Sequence, residues 1–490
     1  MPDGHAVSDA AAPAERRLYS PALRTAVVLT GSGADGAYHA GVLRALQEAG
    51  VKIDLLAGHG VGAVGAIFGA IDGGTRLWAK GGLWRRADVA TLYPWRTGLR
   101  VIGWCLLAGA LVLTVPLVVL GVGLLVYQAA VLAETAGPGT AGRLAGAYAA
   151  LVDAAFRPDG LPTWLPRLAL IVVAFIVATI LAAGLGARHR LPARRGQRGG
   201  LWWAVLGAPM SSRRAAAVVQ ARLWDLIRGG ARIRQPESTD LGRRYAELLA
   251  ENLDQPGFRE LLLVVHDLDA RRDLVFALLR EEDRRAFFLR KPVFGSDRRS
   301  AEAFDLAGIG RDFTMPVLAG ALALPAVTEP SLLVFQPESY WRGEAHRLCD
   351  RPGSLARLLE EVAHAGARQV IVVTASAELA GAHGLSRRRV APRARIGEYL
   401  GSAQAAAVRD GVLAAAERFD AIFLVRPTHN PAGPLDLAGV FDERSDRRLP
   451  LQELLERGYE DAYRQFVEPV VGASGEALAV REGGGVRAGR

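Results

Sequence analysis

The sequence predicts an α/β protein with a mostly parallel sheet, interrupted by a membrane-inserted helical hairpin. Three observations carry this prediction. Short apolar runs alternate with helical patterns along most of the chain, as in strand–helix–strand units with right-handed crossovers. Two glycine-rich turns near the start each join an apolar run to a helix. Two long stretches carry no charged residue.

The first strands and helices are predicted in residues 25–66. TAVVLT (25–30) is a short apolar run, typical of a buried strand. GSGADG (31–36) follows it, and a helical pattern over 37–50 ends at Gly50, a residue type that commonly closes helices. A second strand, IDLLA (53–57), leads through the glycine-rich AGHGVGAVGA (57–66) into a second helix.

The charge-free stretches predict two membrane spans, at about 101–132 and 168–187, because a bilayer requires about 20 apolar residues. Arginines flank the pair on both sides, whereas the connecting loop 133–167 has mixed charge. The positive-inside rule therefore places both chain ends and the α/β part in the cytoplasm, with the loop outside. We expect a multi-pass protein of the cell (inner) membrane, with Arg188–Arg198 against anionic head groups.

The α/β pattern resumes after the hairpin. Apolar strand-like runs lie at 259–268, 331–336, 368–376 and 420–427, and helical patterns lie at 355–367, 396–419 and 449–471. The predicted organisation is a disordered N-terminus (1–20), a first α/β part (21–95), the hairpin (96–190), a second α/β part (191–475) and a disordered tail (476–490).

Composition narrows the partners and the chemistry. Half of the 490 residues are hydrophobic and the net charge is +9, carried mainly by arginine. We expect membrane lipids, a phospholipid or an acyl chain, as partners, and no nucleic acid. Cys105 and Cys349 are the only cysteines, too few for a disulfide framework or a cysteine metal site. No metal and no cofactor are expected.

The two glycine-rich turns suggest different chemistries when each is taken alone. GSGADG fits G-x-G-x-x-G, and Asp54 follows about 20 residues on, as in a dinucleotide site. The second turn, Gly58-His59-Gly60-Val61-Gly62, matches the G-x-S-x-G elbow of serine acyl hydrolases, except that Gly60 stands where the serine belongs.

Together the two turns resemble the start of patatin-like phospholipases. The resemblance implies a patatin-like three-layer sandwich and lipid acyl hydrolysis by a Ser–Asp dyad. It assigns the oxyanion loop to Gly31, Ser32, Gly33 and Gly36, the elbow to Gly58, His59 and Gly62, and the nucleophile position to Gly60. Asp35 stands where the family usually carries Arg or Lys.

The position of the dyad aspartate has two interpretations. Counting back from Gly366-Ala367, which open a predicted strand, gives Asp350. The other alignment gives Trp341 or Arg342 and leaves no acid.

Gly60 implies a chain without its nucleophile. We expect a membrane-anchored, patatin-like protein that is catalytically inactive and acts in lipid or acyl binding, or as a scaffold. Ser32 is expected to point away from the site, and His59 to be a packed or solvated loop residue. Two alternatives stay open: an active lipid acyl hydrolase using another nucleophile or a water, and a nucleotide-binding membrane protein using GSGADG.

Overall fold

The computed structural model describes residues 19–72, 74–135, 137, 139–156, 161–188, 207–292, 298–377, 391–427, 433–441 and 448–472. The chain divides into two compact units: unit 1 (residues 1–94 and 211–490) and unit 2 (residues 95–210). Unit 2 therefore begins one residue before the predicted hairpin and continues 20 residues past its predicted end at 190. The predicted disordered ends lie outside the described residues, except for Tyr19 and Ser20.

The helices and strands of the two units have the following bounds. The strands are β1 (Thr25–Thr30), β2 (Leu55–Gly58), β3 (Glu260–Asp267), β4 (Arg272–Leu278), β5 (Ala303–Asp305), β6 (Ser331–Val334), β7 (Ala345–Cys349), β8 (Gln369–Thr374), β9 (Ala421–Val425), β10 (Val440–Phe441) and β11 (Arg448–Leu449). The helices are α1 (Asp35–Glu48), α2 (Gly62–Ala70), α3 (Thr75–Trp78), α4 (Thr97–Glu134), α5 (Thr140–Phe156), α6 (Leu161–Arg188), α7 (Arg213–Ile227), α8 (Ser238–Glu251), α9 (Glu281–Leu289), α10 (Thr314–Ala321), α11 (Ser354–His364), α12 (Pro392–Ala415) and α13 (Leu451–Ala462).

Unit 1 is built on one large sheet in the strand order β5-β4-β3-β2-β1-β8-β9. The pairs from β3 through β2, β1 and β8 to β9 are all parallel, and β4 with β5 is parallel too. Strands β4 and β7 both pair antiparallel with β3, and β6 pairs antiparallel with β7. The predicted α/β class with a mostly parallel sheet is confirmed.

The central strands are buried on both faces, which explains their uniformly apolar sequences. On one face, Ala26 and Val28 of β1 pack in a core with Leu355 and Leu358 of α11. On the other face, Leu29 lies against Gly65 of α2. Because successive residues of a strand point to opposite faces, one run of apolar residues serves helices on both sides. The result is a three-layer arrangement.

Helices α1 and α13 approach each other backbone to backbone. A Cβ on Gly41 of α1 would lie 1.9 Å from the carbonyl oxygen of Leu455, and one on Gly458 of α13 would lie 2.3 Å from that of Tyr38. Each helix therefore needs its glycine at the crossing. The Tyr38 hydroxyl adds a hydrogen bond of 3.1 Å to Oδ2 of Asp461.

Unit 2 contains the predicted membrane segments. Within the described residues, one helical stretch is long and apolar enough to cross a bilayer, Leu117–Glu134 in α4, with a mean hydropathy of 2.0. The predicted second span falls in α6, whose apolar part, Leu170–Ala182, is shorter. The predicted loop 133–167 is mostly helical, because it holds α5 and the start of α6. In α5, the Tyr148 hydroxyl donates to the Val119 carbonyl of α4.

Candidate functional site

The second glycine turn forms a tight elbow between the end of β2 and the start of α2. Gly60 has φ +57°, in the left-handed region, where nucleophile elbows hold their strained residue. The flanking glycines are needed for close packing. A Cβ on Gly62 would lie 2.0 Å from the carbonyl oxygen of Leu29, and one on Gly58 would lie 2.5 Å from the Gly62 carbonyl carbon. The chain therefore has the strand–turn–helix backbone of a nucleophile elbow, with no side chain at its centre.

Gly60 packs directly against the backbone of the first glycine turn. A Cβ at this position would lie 2.2 Å from the carbonyl oxygen of Gly31 and 2.8 Å from Oδ2 of Asp350. The Val61 N–H donates to the same Gly31 oxygen at 2.8 Å. In serine hydrolases the N–H after the nucleophile stabilises the oxyanion. Here that N–H is bonded within the protein, and the place for a serine Cβ is occupied.

Asp350 follows β7 and lies at the elbow. Its own N–H donates to the Ala323 carbonyl at 2.8 Å, which fixes the loop after the strand. The carboxylate is 3% exposed. It accepts the Ser32 hydroxyl on Oδ2 at 2.7 Å and faces Nδ1 of His59 through Oδ1 at 3.2 Å.

The other proposed position for the aspartate lies elsewhere. The indole N–H of Trp341 donates to the Ala301 carbonyl at 3.0 Å, and its ring packs on His346. Neither interaction involves the elbow. The geometry therefore brings Gly60, His59, Ser32 and Asp350 together and leaves Trp341 outside.

The sequence suggested that Ser32 points away from the site. In the structure it points into the site. Its hydroxyl donates to Asp350, and the residue is 1% exposed. Gln404 of α12 helps to hold the loop: with its amide placed so that both ends are paired, the oxygen lies 2.9 Å from the Ser32 nitrogen and the nitrogen 3.2 Å from Oδ2 of Asp35. Because Asp350 and Gln404 are each more than 300 residues away in sequence, no local pattern could indicate this orientation.

His59 is packed rather than solvated, at 1% exposure. When its Nδ1–H donates to Asp350, its Nε2 accepts the Thr30 hydroxyl at 2.6 Å. The Thr30 carbonyl accepts the Nε2–H of His39 at 3.1 Å, and burial lowers the pKa of His39 to about 4, so this imidazole is neutral. The hydroxyl–imidazole–carboxylate chain has the connectivity of a catalytic triad, but it is enclosed.

Asp35, the first residue of α1, turns back onto the oxyanion loop. Its Oδ2 accepts the N–H of Ser32 at 2.8 Å. Burial, together with the nearby charges of Asp350 and Asp436, raises the pKa of Asp35 to about 8. An acid at this position is unfavourable for an oxyanion, which needs free hydrogen-bond donors. The carboxyl group of Asp35 accepts the hydrogen bond that the loop N–H of Ser32 would otherwise be free to donate to an oxyanion.

A segment from Gly433 to Gly439, here called the covering segment, lies over the same loop. The Ala34 N–H donates to the Pro434 carbonyl at 2.8 Å. Gly33 has φ +59°, and a Cβ there would lie 2.0 Å from that carbonyl oxygen. Gly36 packs against the indole ring of Trp84, 2.1 Å from where a Cβ would be. The space beside Gly33 and Gly36 is therefore filled by Pro434 and Trp84 of the same chain rather than left for a ligand.

The dinucleotide interpretation does not fit the geometry. Asp54 accepts the N–H of Thr25 at 2.9 Å, at the beginning of β1, whereas GSGADG follows Thr30 at the other end of that strand. A ribose-binding acid belongs at the same edge of the sheet as the glycine loop. Among the described residues, no group of three or more His, Cys, Asp or Glu side chains could hold a metal ion.

Comparisons with known proteins give a short sequence match. No protein-family model matches the chain. Over 70 residues, 14% of this chain, it is 39% identical to patatin-like phospholipase domain-containing protein 6 of Mus musculus, Pongo abelii and Homo sapiens. The match spans 5% of the length of those relatives. A search of solved structures returns VipD from Legionella pneumophila, at 12% identity and a TM-score of 0.29, over 92% of this chain and 67% of VipD.

Proposed function

We propose that this chain is a membrane-attached, patatin-like protein whose hydrolytic site is closed, and that it binds lipid or acyl groups, or serves as a scaffold, without cleaving them. The observation that carries the proposal is Gly60. The elbow has no hydroxyl, and the space for one is filled by the Gly31 carbonyl. The short sequence match to patatin-like phospholipases supports the origin of the scaffold.

The loop N–H groups support the same conclusion. Oxyanion stabilisation by free, pre-oriented N–H groups is a large term in acyl transfer, with about 3–4 kcal/mol lost per donor removed. Ser32, Ala34 and Val61 each donate their N–H inside the protein. Their partners are a side-chain carboxyl group and two backbone carbonyls, so no donor of these three is available to a substrate.

Hydrolysis is tested with the full chain purified in detergent. We expect no lipase or esterase turnover and no fluorophosphonate labelling from the wild type or from Gly60→Ser, because the introduced Cβ has no room. Asp350→Ala is the matched control for any activity seen. Turnover by the wild type that disappears in Asp350→Ala would overturn the closed-site proposal.

The membrane part of the proposal rests on unit 2. Many large apolar side chains of α4 and α6 are exposed, among them Trp104, Leu117, Leu125, Leu170 and Phe175, each above 60%. Soluble proteins rarely expose a continuous apolar surface of this size. We expect the chain to stay in the membrane pellet after alkaline carbonate extraction, with both chain ends cytoplasmic. Release into the supernatant would contradict the proposal.

A second candidate is acyl hydrolysis with Ser32 as the nucleophile. The hydrogen bond of 2.7 Å from its hydroxyl to Asp350 is the observation that favours it, since it reproduces a Ser–Asp pair with the serine on a different loop. A substrate could reach Ser32 only after the covering segment moves and the hydrogen bond from the Ala34 N–H to the Pro434 carbonyl breaks. Ser32-dependent fluorophosphonate labelling in a Leu435→Asp variant, which loosens the buried Leu435, supports this candidate; labelling that survives Ser32→Ala excludes it.

A further inference from the structure

A cavity of about 340 Å³ lies outside the elbow site, between the β3–β4 turn, the start of α11 and the end of α12. None of the elbow or oxyanion-loop residues lines it. Its uncharged lining consists of small residues, namely Gly353, Ala356, Gly411, Ala414 and Ala415. Its charged lining consists of Arg271, Arg272, Asp273, Glu302, Arg351, Arg357, Glu360 and Arg418. We call it the arginine-rimmed cavity.

The cavity has an excess of positive charge, because five arginines face three carboxylates. These carboxylates are already engaged. Asp273 accepts Nη2 of Arg351 at 2.7 Å and the hydroxyl of Ser354 at 2.9 Å, besides facing His266. Glu302 pairs with Arg299 at 2.9 Å and with Arg357 at 3.1 Å. The acids therefore compensate Arg351 and Arg357 of the rim, and five arginines against three acids leave a net positive charge.

Arg271 and Arg418 carry weakly compensated charge. Arg271 forms no ion pair with any residue that the structure describes, and Arg418 reaches Glu360 only at 3.9 Å. Arg271 also has φ +55°, a left-handed conformation that arginine rarely adopts. A glycine would turn the chain there with less strain. Residues kept in such conformations tend to occur at binding sites.

We propose that the arginine-rimmed cavity binds a phosphate group, as a monoester or diester on a small body. Guanidinium groups match phosphate oxygens with paired, charge-assisted hydrogen bonds. The small alanine and glycine residues of the lining leave room for the attached carbon atoms, and the volume lies at the small end of the usual range for ligand sites, about 300–1,000 Å³. The source is a soluble phosphorylated compound or a phospholipid head group. The proposal is independent of Gly60.

The test titrates the full chain in neutral detergent with three probes: inorganic phosphate, glycerol 3-phosphate, and dihexanoyl phosphatidic acid below its micelle concentration. We expect saturable calorimetric binding of at least one probe. Arg271→Gly and Arg418→Ala should each weaken it by about tenfold or more, as expected for loss of a hydrogen-bonded charge. Preference for the phosphatidic acid identifies a lipid head group as the source, and equal or better binding of the other two identifies a soluble compound.

Three variants separate a site from general charge attraction. Arg409→Ala, an exposed arginine of α12 paired with Asp410, should leave affinity unchanged. Ala414→Phe adds bulk at an exposed position of the lining and should abolish binding with every arginine in place. Arg271→Gly should bind less but unfold at the same or a higher temperature, since it relieves backbone strain; a purely structural Arg271 would give no loss of binding. No binding of any probe, or equal losses in Arg409→Ala, would overturn the proposal.

Discussion

Replacing Gly60 by alanine is expected to destabilise unit 1 more than the same replacement at Gly50. Both glycines have a positive φ, +57° and +66°. They differ in their surroundings. A Cβ on Gly60 would lie 2.2 Å from the Gly31 oxygen, whereas nothing lies within 4 Å of one on Gly50. Gly50→Ala therefore measures the cost of the backbone conformation alone.

The expected magnitudes follow from these contacts. A left-handed backbone costs an L-residue about 1–2 kcal/mol, and this applies to both variants. Gly60→Ala must also move the Gly31 carbonyl, which breaks its hydrogen bond from Val61 and adds about 0.5–1.5 kcal/mol. The loss is then about 1.5–3.5 kcal/mol at Gly60, before any cost of moving Asp350, and about 1–2 kcal/mol at Gly50.

The assay is urea-induced unfolding of the full chain in mild detergent, followed by pulse proteolysis so that folded unit 1 is quantified directly. Gly60→Ser belongs in the same series, and it should be destabilised at least as much as Gly60→Ala. If Gly60→Ala costs no more than Gly50→Ala, the Gly31 carbonyl does not occupy the elbow. If Gly60→Ser gains esterase activity that Asp350→Ala removes, the site has room for a nucleophile and is not closed.

Three further predictions concern buried polar groups and close packing. The pKa of Asp35 is raised to about 8 in the folded protein, so its contribution to the free energy of unfolding is full below about pH 4 and declines as the pH rises through about 8. Asp35→Asn should flatten this decline in urea titrations between pH 4 and 8. An unchanged slope of the free energy of unfolding against pH would refute this prediction. Glu361→Gln leaves three arginines beside a neutral amide and should cost about 3–5 kcal/mol, against less than about 1 kcal/mol for Arg44→Ala, which removes a partly exposed ion pair. Similar losses in the two unfolding curves would count against a buried network. Gly41→Ala should lower the unfolding temperature sharply, because its Cβ meets the Leu455 carbonyl at 1.9 Å, and thermal melts that match the wild type would exclude that contact.

The elements that the sequence predicts well are those whose signal is local. β1 lies at 25–30, as its apolar run indicates, and β8 and β9 fall within a few residues of their predicted bounds. Strands β4, β5 and β7 were not predicted as strands. They are short or begin with charged residues such as Arg272 and Asp273, and the partners that pair with them determine their conformation.

The candidate site divides in the same way. The two glycine turns are visible in sequence because strand, turn and helix adjoin there. Residues hundreds of positions away set the orientation of the Ser32 side chain and accept the hydrogen bond from the Ala34 N–H, in the latter case through the Pro434 carbonyl. The interpretation of Asp54 failed for a geometric reason: spacing along the chain does not reveal at which end of a strand a residue lies.

The glycine crossing of α1 and α13 has a consequence for synthesis on the ribosome. About 400 residues separate Glu48, where α1 ends, from Leu451, where α13 begins. At roughly 5–20 residues per second, α1 emerges some 20–80 s before its partner exists. During that interval the face of α1 around Gly41 has no α13 to pack against, and β1 has no β8 to pair with. Unit 2 is completed within the same interval, before unit 1 can form its α1–α13 crossing.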